Sequence, residues 1–429
     1  MRIAFYTLGC KVNQYETQIL SQLFAADGYD VVAPDEIADV YVINSCTVTA
    51  TGDKKTRQML RHFKSQNPAA KVALTGCFPQ AFPQAAEKLP EADIIMGARG
   101  RGELVKLVSQ CLATGERIIK IQPHERGESF EKMSASGFAE RTRAFVKIED
   151  GCERYCSYCI IPTARGPVRS KPLDELADEL NDLAQSGYQE VVLVGINLSC
   201  YGKDFGKRLI DAIALACNTK GIERVRLGSI EPELLTDQDI ERMASFPQMC
   251  PQFHLSLQSG CDATLKRMNR HYDAAEYTRI VESLRRHFKN CAITTDIMVG
   301  FPGEDEEEFS HSLAFAEKIA FAKVHVFAYS QRPGTRAAVL PNQVTKAEKS
   351  SRSARMIALT DRTRPDFLQH QVGRTASVLF ESHVKDGVYE GYSENYTPVH
   401  VRSDEDLRGK LLQVKITGAE AEFGAGAGS

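Results

Sequence analysis

The chain has 429 residues, 43% hydrophobic and 25% charged, with twelve cysteines, no tryptophan and a formal net charge of -3. At roughly 150 residues per domain this length asks for about three domains, and the balance excludes a disordered or collagen-like chain. The longest apolar run, Val191 to Ile196, is far short of the ~20 residues of a membrane span, and no basic region precedes an apolar stretch at residues 1–8, so a cytoplasmic protein with no membrane partner is expected.

From residue 2 to about 112, apolar runs at Ile3–Thr7, Val40–Ile43, Val72–Thr75 and Ile94–Met96 alternate with helical patterns at about 13–27, 53–65, 79–88 and 101–112. The pattern predicts an α/β chain that begins with an N-terminal parallel α/β domain over 1–121. Residues 122–142 are polar, with His124, Glu125, Gly127, Ser134, Ser136 and Gly137, and read as a linker. A longer series follows, with strands expected at 144–149, 190–196, 224–229, 253–257, 292–299 and 322–328. Six strand-helix units within 143–331 predict a partial (β/α)6 barrel, with functional groups at the strand C-terminal ends.

Residues 332–371 read as a basic, mostly helical connector, with nine Lys or Arg from Arg332 to Arg374 against three acids. The stretch 372–418 alternates in period two, with turn signals at Asp386-Gly387, Ser393 to Asn395 and Arg408-Gly409, so a small C-terminal all-β barrel is expected. Residues 419–429 end in GAGAGS, which has linker composition, and are expected to be an added tail outside the fold.

In a reducing compartment a chain with its own core has no need of disulfides, so the cysteines point to burial, metal ligation or catalysis. Cys152, Cys156 and Cys159 form C-x3-C-x2-C in a single loop after the strand that ends at 149. Three thiolates can wrap one face of an iron-sulfur cube and leave one iron open, whereas a structural zinc site wants a fourth ligand that does not follow locally. Cys10, Cys46 and Cys77 are dispersed, but each lies two or three residues past an apolar strand run, in YTLGC, VINSC and ALTGC. Strand C-termini of a parallel sheet share one edge, and each loop leads into a helix whose dipole favours an anionic thiolate. A second open-sided cluster is the preferred reading, against the alternative of small buried residues at strand ends. Cys111, Cys200, Cys217, Cys250, Cys261 and Cys291 share no spacing and are expected to be core residues.

The loop GCERYCSYC, with Tyr158 before its last cysteine, resembles that of the radical S-adenosylmethionine (SAM) enzymes. GCKVNQYE (9–16), NSCTVT (44–49) and TGC (75–77) resemble the N-terminal domain of the methylthiotransferases within that group, and the terminal β-barrel resembles a TRAM domain, an RNA-binding module. The resemblance covers about residues 1–417. It implies two 4Fe-4S clusters, an auxiliary one on Cys10, Cys46 and Cys77 and a radical SAM one on Cys152, Cys156 and Cys159, with two SAM molecules per turnover. The open iron of the second cluster would chelate SAM, and its reductive cleavage would yield a radical able to break an unactivated C-H bond that no side-chain base can reach. The auxiliary cluster would hold the sulfur, methylated by the first SAM. Chemistry falls to the open irons, and no side-chain acid or base is assigned. The same resemblance implies SAM contacts at Tyr158, at Gly195 and Asn197 in VGIN, at Ser229 and Glu231 in GSIEP, at Gln258 and Ser259 in SLQSG, and at Gly300 in DIMVGFPGE. Arg165 and Arg169, in ARGPVRS, are expected at a SAM carboxylate or a substrate phosphate.

Sister families modify tRNA or a ribosomal-protein aspartate. Lys54, Lys55, Arg57, Arg61 and Lys64 on the helix after Cys46, and Lys266, Arg267, Arg270 and His271 after Gln258, read as phosphate-binding patches, with a solvated helix face as the alternative for each. The β-barrel is nearly balanced, six basic residues against seven acidic from 372 to 417, so its RNA contacts would rest on Tyr392, Asn395 and Tyr396. GCKVNQYE resembles the group that acts on N6-threonylcarbamoyladenosine beside the anticodon, rather than the isopentenyladenosine group. The implied reaction adds a methylthio group to C-2 of that base at position 37 of a tRNA anticodon stem-loop. The base carries a carboxylate, so a cation is expected, from a loop after a barrel strand. An electron donor such as flavodoxin or ferredoxin, and a sulfur donor, are implied partners. A non-catalytic iron-sulfur RNA-binding protein would have no use for GSIEP, SLQSG or DIMVGFPGE.

Overall fold

In the computed structural model, which describes residues 1–133, 142–420 and 422–428, the first apolar runs become β1 (Arg2–Thr7), β3 (Val40–Ser45), β4 (Lys71–Gly76) and β5 (Ile94–Met96). Two short strands absent from the sequence reading, β2 (Asp30–Val32) and β6 (Ile118–Lys120), complete a parallel sheet of order β2-β1-β3-β4-β5-β6. Around it lie α1 (Lys11–Ala26), α2 (Ala50–Gln66), α3 (Cys77–Ala81), α4 (Pro83–Glu87) and α5 (Leu104–Thr114). All six residues of β3 are buried, as a central strand covered on both faces requires. Val40 and Val42 pack with Leu20, Phe24 and Leu107 on one side, and Tyr41 and Ile43 with Leu60 and Phe63 on the other. The single helix expected at 79–88 is two, because Pro83 cannot continue α3 and instead opens α4.

The central region supplies β7 (Arg143–Lys147), β8 (Glu149–Asp150), α6 (Ile161–Arg165), β9 (Arg169–Ser170), α7 (Leu173–Gln185), β10 (Glu190–Val194), α8 (Leu209–Asn218), β11 (Arg224–Leu227) and β12 (Ser229–Ile230). It continues with α9 (Asp237–Ala244), β13 (Gln252–Leu255), α10 (Asp262–Arg267), α11 (Ala274–His287), β14 (Ala292–Val299), α12 (Glu306–Ile319) and β15 (Lys323–Ala328). Two parallel sheets, β11-β10-β7 and β12-β13-β14-β15, meet where Gly228 separates β11 from β12, and β8 pairs with β9 as a small antiparallel ribbon. A single apolar core runs beneath both sheets, and Val12, Tyr15 and Ile19 of α1 belong to it. The N-terminal domain therefore lends a helix to its neighbour's core.

The part of the expected linker that is described, 122–133, is packed in place: His124 Nδ1 lies 2.7 Å from Glu128 Oε1, and Glu128 in turn meets Arg99 at 3.3 Å and Arg169. Residues 134–141, with Ser134, Ser136 and Gly137, lie outside the described residues. The connector holds α13 (Lys346–Gln369), capped by a reciprocal Thr345–Glu348 box.

Last come β16 (Thr375–Lys385), β17 (Val388–Ser393), β18 (Pro398–Arg402), β19 (Leu411–Ala419) and β20 (Gly424–Gly428), a closed barrel of order β16-β17-β18-β20-β19. The tail expected to lie outside the fold is thus its closing strand, paired with both β18 and β19. Small residues there reflect crowding: a Cβ on Gly426 would stand 2.5 Å from Val414 Cγ1 and 3.1 Å from Val399 Cγ1. Among the described residues no helix is long and apolar enough to cross a membrane.

Candidate active site

The first cysteine triad follows from register. β1, β3 and β4 are adjacent, and Thr7, Asn44 and Thr75 stand in one row across them, so the loops holding Cys10, Cys46 and Cys77 leave one edge side by side. Gly9 permits the closest approach: with φ of +106°, any Cβ there would lie 2.7 Å from Cys46 Cβ. Cys10 is the N-cap of α1 and makes no side-chain cap, which leaves the helix's first N-H groups facing the site. Burial, reinforced by Cys77 and Cys10, pushes the Cys46 thiol up to about 12. Burial raises the Cys10 thiol too, and thiols held protonated in this way are suited to a cationic iron centre, which would favour the thiolates.

The second triad occupies the loop between β8 and α6. Gly151, at φ of +96°, starts it, because a side chain there would overlap the Pro167 carbonyl. The turn after α10 clamps it: Ser157 N donates to Met268 O at 2.9 Å, Ser157 Oγ to Arg267 O at 2.9 Å, and Asn269 Nδ2 to Tyr155 O at 3.1 Å. Burial with the Cys156 thiol holds Cys152 up at about 12 and raises Cys159 as well. Among the described residues no three His, Cys, Asp or Glu side chains converge on a single metal ion. A cubane asks for a different arrangement, one thiolate on each of three irons.

Each triad receives one buried guanidinium. Arg165 Nε lies 3.2 Å from Cys77 Sγ, and Arg270 Nη1 lies 3.2 Å from Cys156 Sγ. Arg165 was expected to face SAM or phosphate. Instead it is fully buried and holds Glu16 at 2.6 Å, Asn13 Oδ1 at 2.6 Å and Asp150 at 3.3 Å. Arg169 is also withdrawn, bonded to the Arg165 and Pro167 carbonyls, to Glu128 and to Asp150. Arg165 therefore ties α1 to the segment after the second triad, and Arg169 is engaged by residues 128–167. At the centre of this network Glu16 also meets Lys147 at 2.7 Å and Arg101 at 2.9 Å. Burial opposes its charge, yet Arg101, Arg165 and Lys147 hold its carboxyl at about 2.

The strand-end residues divide. Asn197 Nδ2 reaches Cys152 Sγ at 3.6 Å, and Glu231 pairs with Arg270, so both support the second triad. Tyr158 sits edge-on to Phe301, ring centroids 6.4 Å apart. Gly195 and Ser229 line a cavity of about 730 Å³. Gln258 holds a left-handed φ of +67°, a conformation that costs energy in a non-glycine residue, between backbone bonds to Asp296 and Met298. Ser259 is a correction: it is completely buried, and its hydroxyl accepts the Cys261 N-H at 3.2 Å. Gly300 has φ of +70°, and a Cβ there would overlap Lys349 Cγ, so the backbone is approached closely by that side chain.

The sequence reading missed three elements of the site. Glu149 is buried with its carboxyl pushed well up by desolvation; Asn197 N donates to Oε2 at 2.6 Å, while Oε1 and the neighbouring Asn197 Oδ1 have no partner among the described residues. His254 Nε2 faces Asp296 Oδ2 at 3.4 Å inside the cavity, with the His325 ring 5.9 Å away. The inward phase of FHL and VHV was the available signal. Lys11, beside Cys10, also faces the cavity. Desolvation, with Arg143 and Arg226, lowers its ammonium to about 8.

Tyr392, Asn395 and Tyr396 line the same cavity, yet they work mainly within the protein. Asn395 is buried, bonded to Gln371 at 3.0 Å and to Asn290 O at 3.2 Å. The two tyrosines stack at 4.8 Å, and the Arg143 guanidinium lies within 5.1 Å of both ring centroids. Much of the expected phosphate-binding charge is paired as well. Arg332 meets Asp53, Arg352 meets Glu304, Arg355 meets Glu306, Arg362 meets Glu317 and Arg364 meets Glu422, while Arg267 is taken by Glu308 and Arg270 by the cluster loop. On α2, Arg61 and Lys64 bind Glu91 and Asp93, and Arg57 lies over the Phe78 ring. Lys54 is exposed and Lys55 half-buried.

This geometry defines a radical SAM protein, and residues 146–316 match the model of the radical SAM superfamily while residues 2–97 match the uncharacterized protein family UPF0004. The chain is 36% identical to the threonylcarbamoyladenosine tRNA methylthiotransferase MtaB of Bacillus subtilis, over 99% of this chain and 95% of that one. It is 33% identical to a tRNA-2-methylthio-N(6)-dimethylallyladenosine synthase of Pelotomaculum thermopropionicum, over 96% and 94%. In fold it is similar to the radical SAM methyltransferase TsrM from Kitasatospora setae, with a TM-score of 0.59 and 13% identity over 79% of this chain and 77% of that one. The chain belongs to the radical SAM tRNA methylthiotransferase family.

Proposed function

We propose that this enzyme adds a methylthio group to C-2 of N6-threonylcarbamoyladenosine-37 in the tRNA anticodon stem-loop. The observation that carries this reading is a single cavity with Cys10 of the first triad on one wall and Gly195 and Ser229, at the strand ends beside the second, on another. A base held between them could be served from both sides. In this reading residues 1–121 form the auxiliary-cluster domain, 143–331 a partial (β/α)6 radical SAM barrel, and the segment from 372 a TRAM-like barrel that extends to β20.

Cys10, Cys46 and Cys77 would hold the auxiliary 4Fe-4S cluster, and Cys152, Cys156 and Cys159 the radical SAM one. Bound there, the clusters and SAM supply the sulfur and the radical chemistry that no side chain can. The chain's own residues set the stage. Arg165 and Arg270 stabilise one thiolate in each triad, Asn197 orients Cys152, and the unpartnered Asn197 Oδ1 and Glu149 Oε1 are acceptors suited to the SAM ammonium. Tyr158 is placed for the adenine, and Lys54 and Lys55 for tRNA phosphates. An electron donor such as flavodoxin or ferredoxin and a sulfur donor complete a cytoplasmic cycle.

The test is anaerobic reconstitution with SAM, a reductant and tRNA with or without the threonylcarbamoyl group, followed by nucleoside mass analysis. A methylthio adduct on the threonylcarbamoyl base is expected. An adduct confined to isopentenyladenosine or to a ribosomal protein would overturn the substrate assignment.

A further inference from the structure

The substrate proposed above carries a carboxylate, and a site for it needs a cation that the protein has not already neutralised. The cavity's Lys and Arg residues are Lys11, Lys323 and Arg364. Arg364 is occupied by Glu422 at 3.1 Å and by the Ala322 carbonyl at 3.2 Å. Lys323 is on β15, the edge strand, three strands from Ser229 on β12 and so about 14 Å away at the usual strand spacing. Lys11 follows Cys10 directly, is exposed to the cavity, and has no ion pair or hydrogen bond among the described residues.

Lys11 lines the cavity together with Gly195 and Ser229 at the strand ends and with His254 and His325 of β13 and β15. The acids near it are engaged: Glu190 by Arg224 at 2.7 Å and Arg226 at 3.0 Å, and Asp296 by His254. An anion entering beside Cys10 meets Lys11 as an unpaired cation, with Lys323, also without an ion pair among the described residues, on the far edge strand.

Resting on the substrate reading above, we infer that Lys11 is the specificity-determining residue that binds the threonyl carboxylate while the base C-2 faces the Cys10 side of the cavity. The cation thus comes from the N-terminal domain, not from a loop after a barrel strand as expected. Placing it next to a cluster ligand fixes the distance between the recognised carboxylate and the sulfur site, so that recognition and alignment are one event.

The test measures anaerobic binding of three anticodon stem-loops to the protein with both clusters reconstituted: one with threonylcarbamoyladenosine-37, one with its methyl ester, and one with unmodified adenosine. Wild type is expected to prefer the free carboxylate over both others by about tenfold, the scale of a charge-assisted hydrogen bond. Lys11→Met should lose that preference at equal iron content and bind the ester as wild type does, and Lys11→Arg should keep part of it. If wild type prefers the free acid and Lys11→Met prefers it equally, the Lys11 assignment is overturned while the substrate reading stands. If wild type shows no preference for the threonylcarbamoyl group in any form, both fall. If wild type binds ester and acid alike but rejects unmodified adenosine, the substrate reading stands and the carboxylate role fails, without recourse to any variant.

Discussion

Arg165 Nε donates to Cys77 Sγ at 3.2 Å while its Nη1 meets Glu16 at 2.6 Å, so one side chain from the helix after the second triad touches a cysteine of the first. Replacing it with Met removes a fork that Glu16, Asp150 and Asn13 all use, and leaves buried polar groups short of partners. Arg165→Met is expected to lower unfolding free energy by about 3–5 kcal/mol, read from urea midpoints. Arg165→Lys, which restores charge without the planar fork, should recover only part. Equal stability of Met and wild-type proteins would count against the network.

The two triads should separate functionally. Cys10→Ala is expected to keep reductive SAM cleavage and lose methylthiolation, whereas Cys156→Ala loses both. Both are read by 5′-deoxyadenosine release and nucleoside mass in the same reaction. Loss of cleavage to the same extent in the two variants would argue for a single shared centre.

Acid stability has a defined window. Unfolded glutamate titrates near ~4.3, and folded Glu16 is held at about 2, so the folded state binds fewer protons between those values. Its contribution is therefore complete above ~4.3 and fades as pH falls from there through about 2. The stability gap between wild type and Glu16→Gln, measured by urea denaturation of the apoprotein, should narrow across this window. A gap that stays constant would show that the Glu16 charge is not what the network uses.

tRNA affinity should depend on the unpaired α2 lysines more than on the ion-paired connector. Lys54→Glu with Lys55→Glu is expected to weaken binding and to reduce the slope of log K against log salt by about two. Arg362→Gln, which removes a residue already bound to Glu317, should leave that slope unchanged.

The closing strand gives a third measurement of the fold. Gly426→Val places a side chain against Val414 and Val399 and is expected to cost about 1–3 kcal/mol of barrel stability, seen as a lowered thermal midpoint. A spectator tail would show no change.

The triads were legible because strand ends and cysteines coincide in sequence: YTLGC, VINSC and ALTGC carry the strand and its cysteine together. The barrel strands were legible from apolar runs for the same reason. What stayed hidden depended on partners far along the chain. Arg165 and Arg169 read as free cations because Glu16 and Glu128 lie 149 and 41 residues away, a pairing no local pattern encodes. The connector's basic count concealed five separate carboxylate partners. GAGAGS read as linker because composition cannot distinguish a chain that needs no packing from one packed too tightly for side chains.

The place of Val12, Tyr15 and Ile19 in the central core reaches beyond the active site. The family boundaries near residues 97 and 146 mark two inherited pieces, but the apolar surface that stabilises the second piece is partly supplied by the first. That shared surface couples the folding of the two pieces. Excising either piece would expose a hydrophobic seam, so inheritance and unfolding divide this chain at different places.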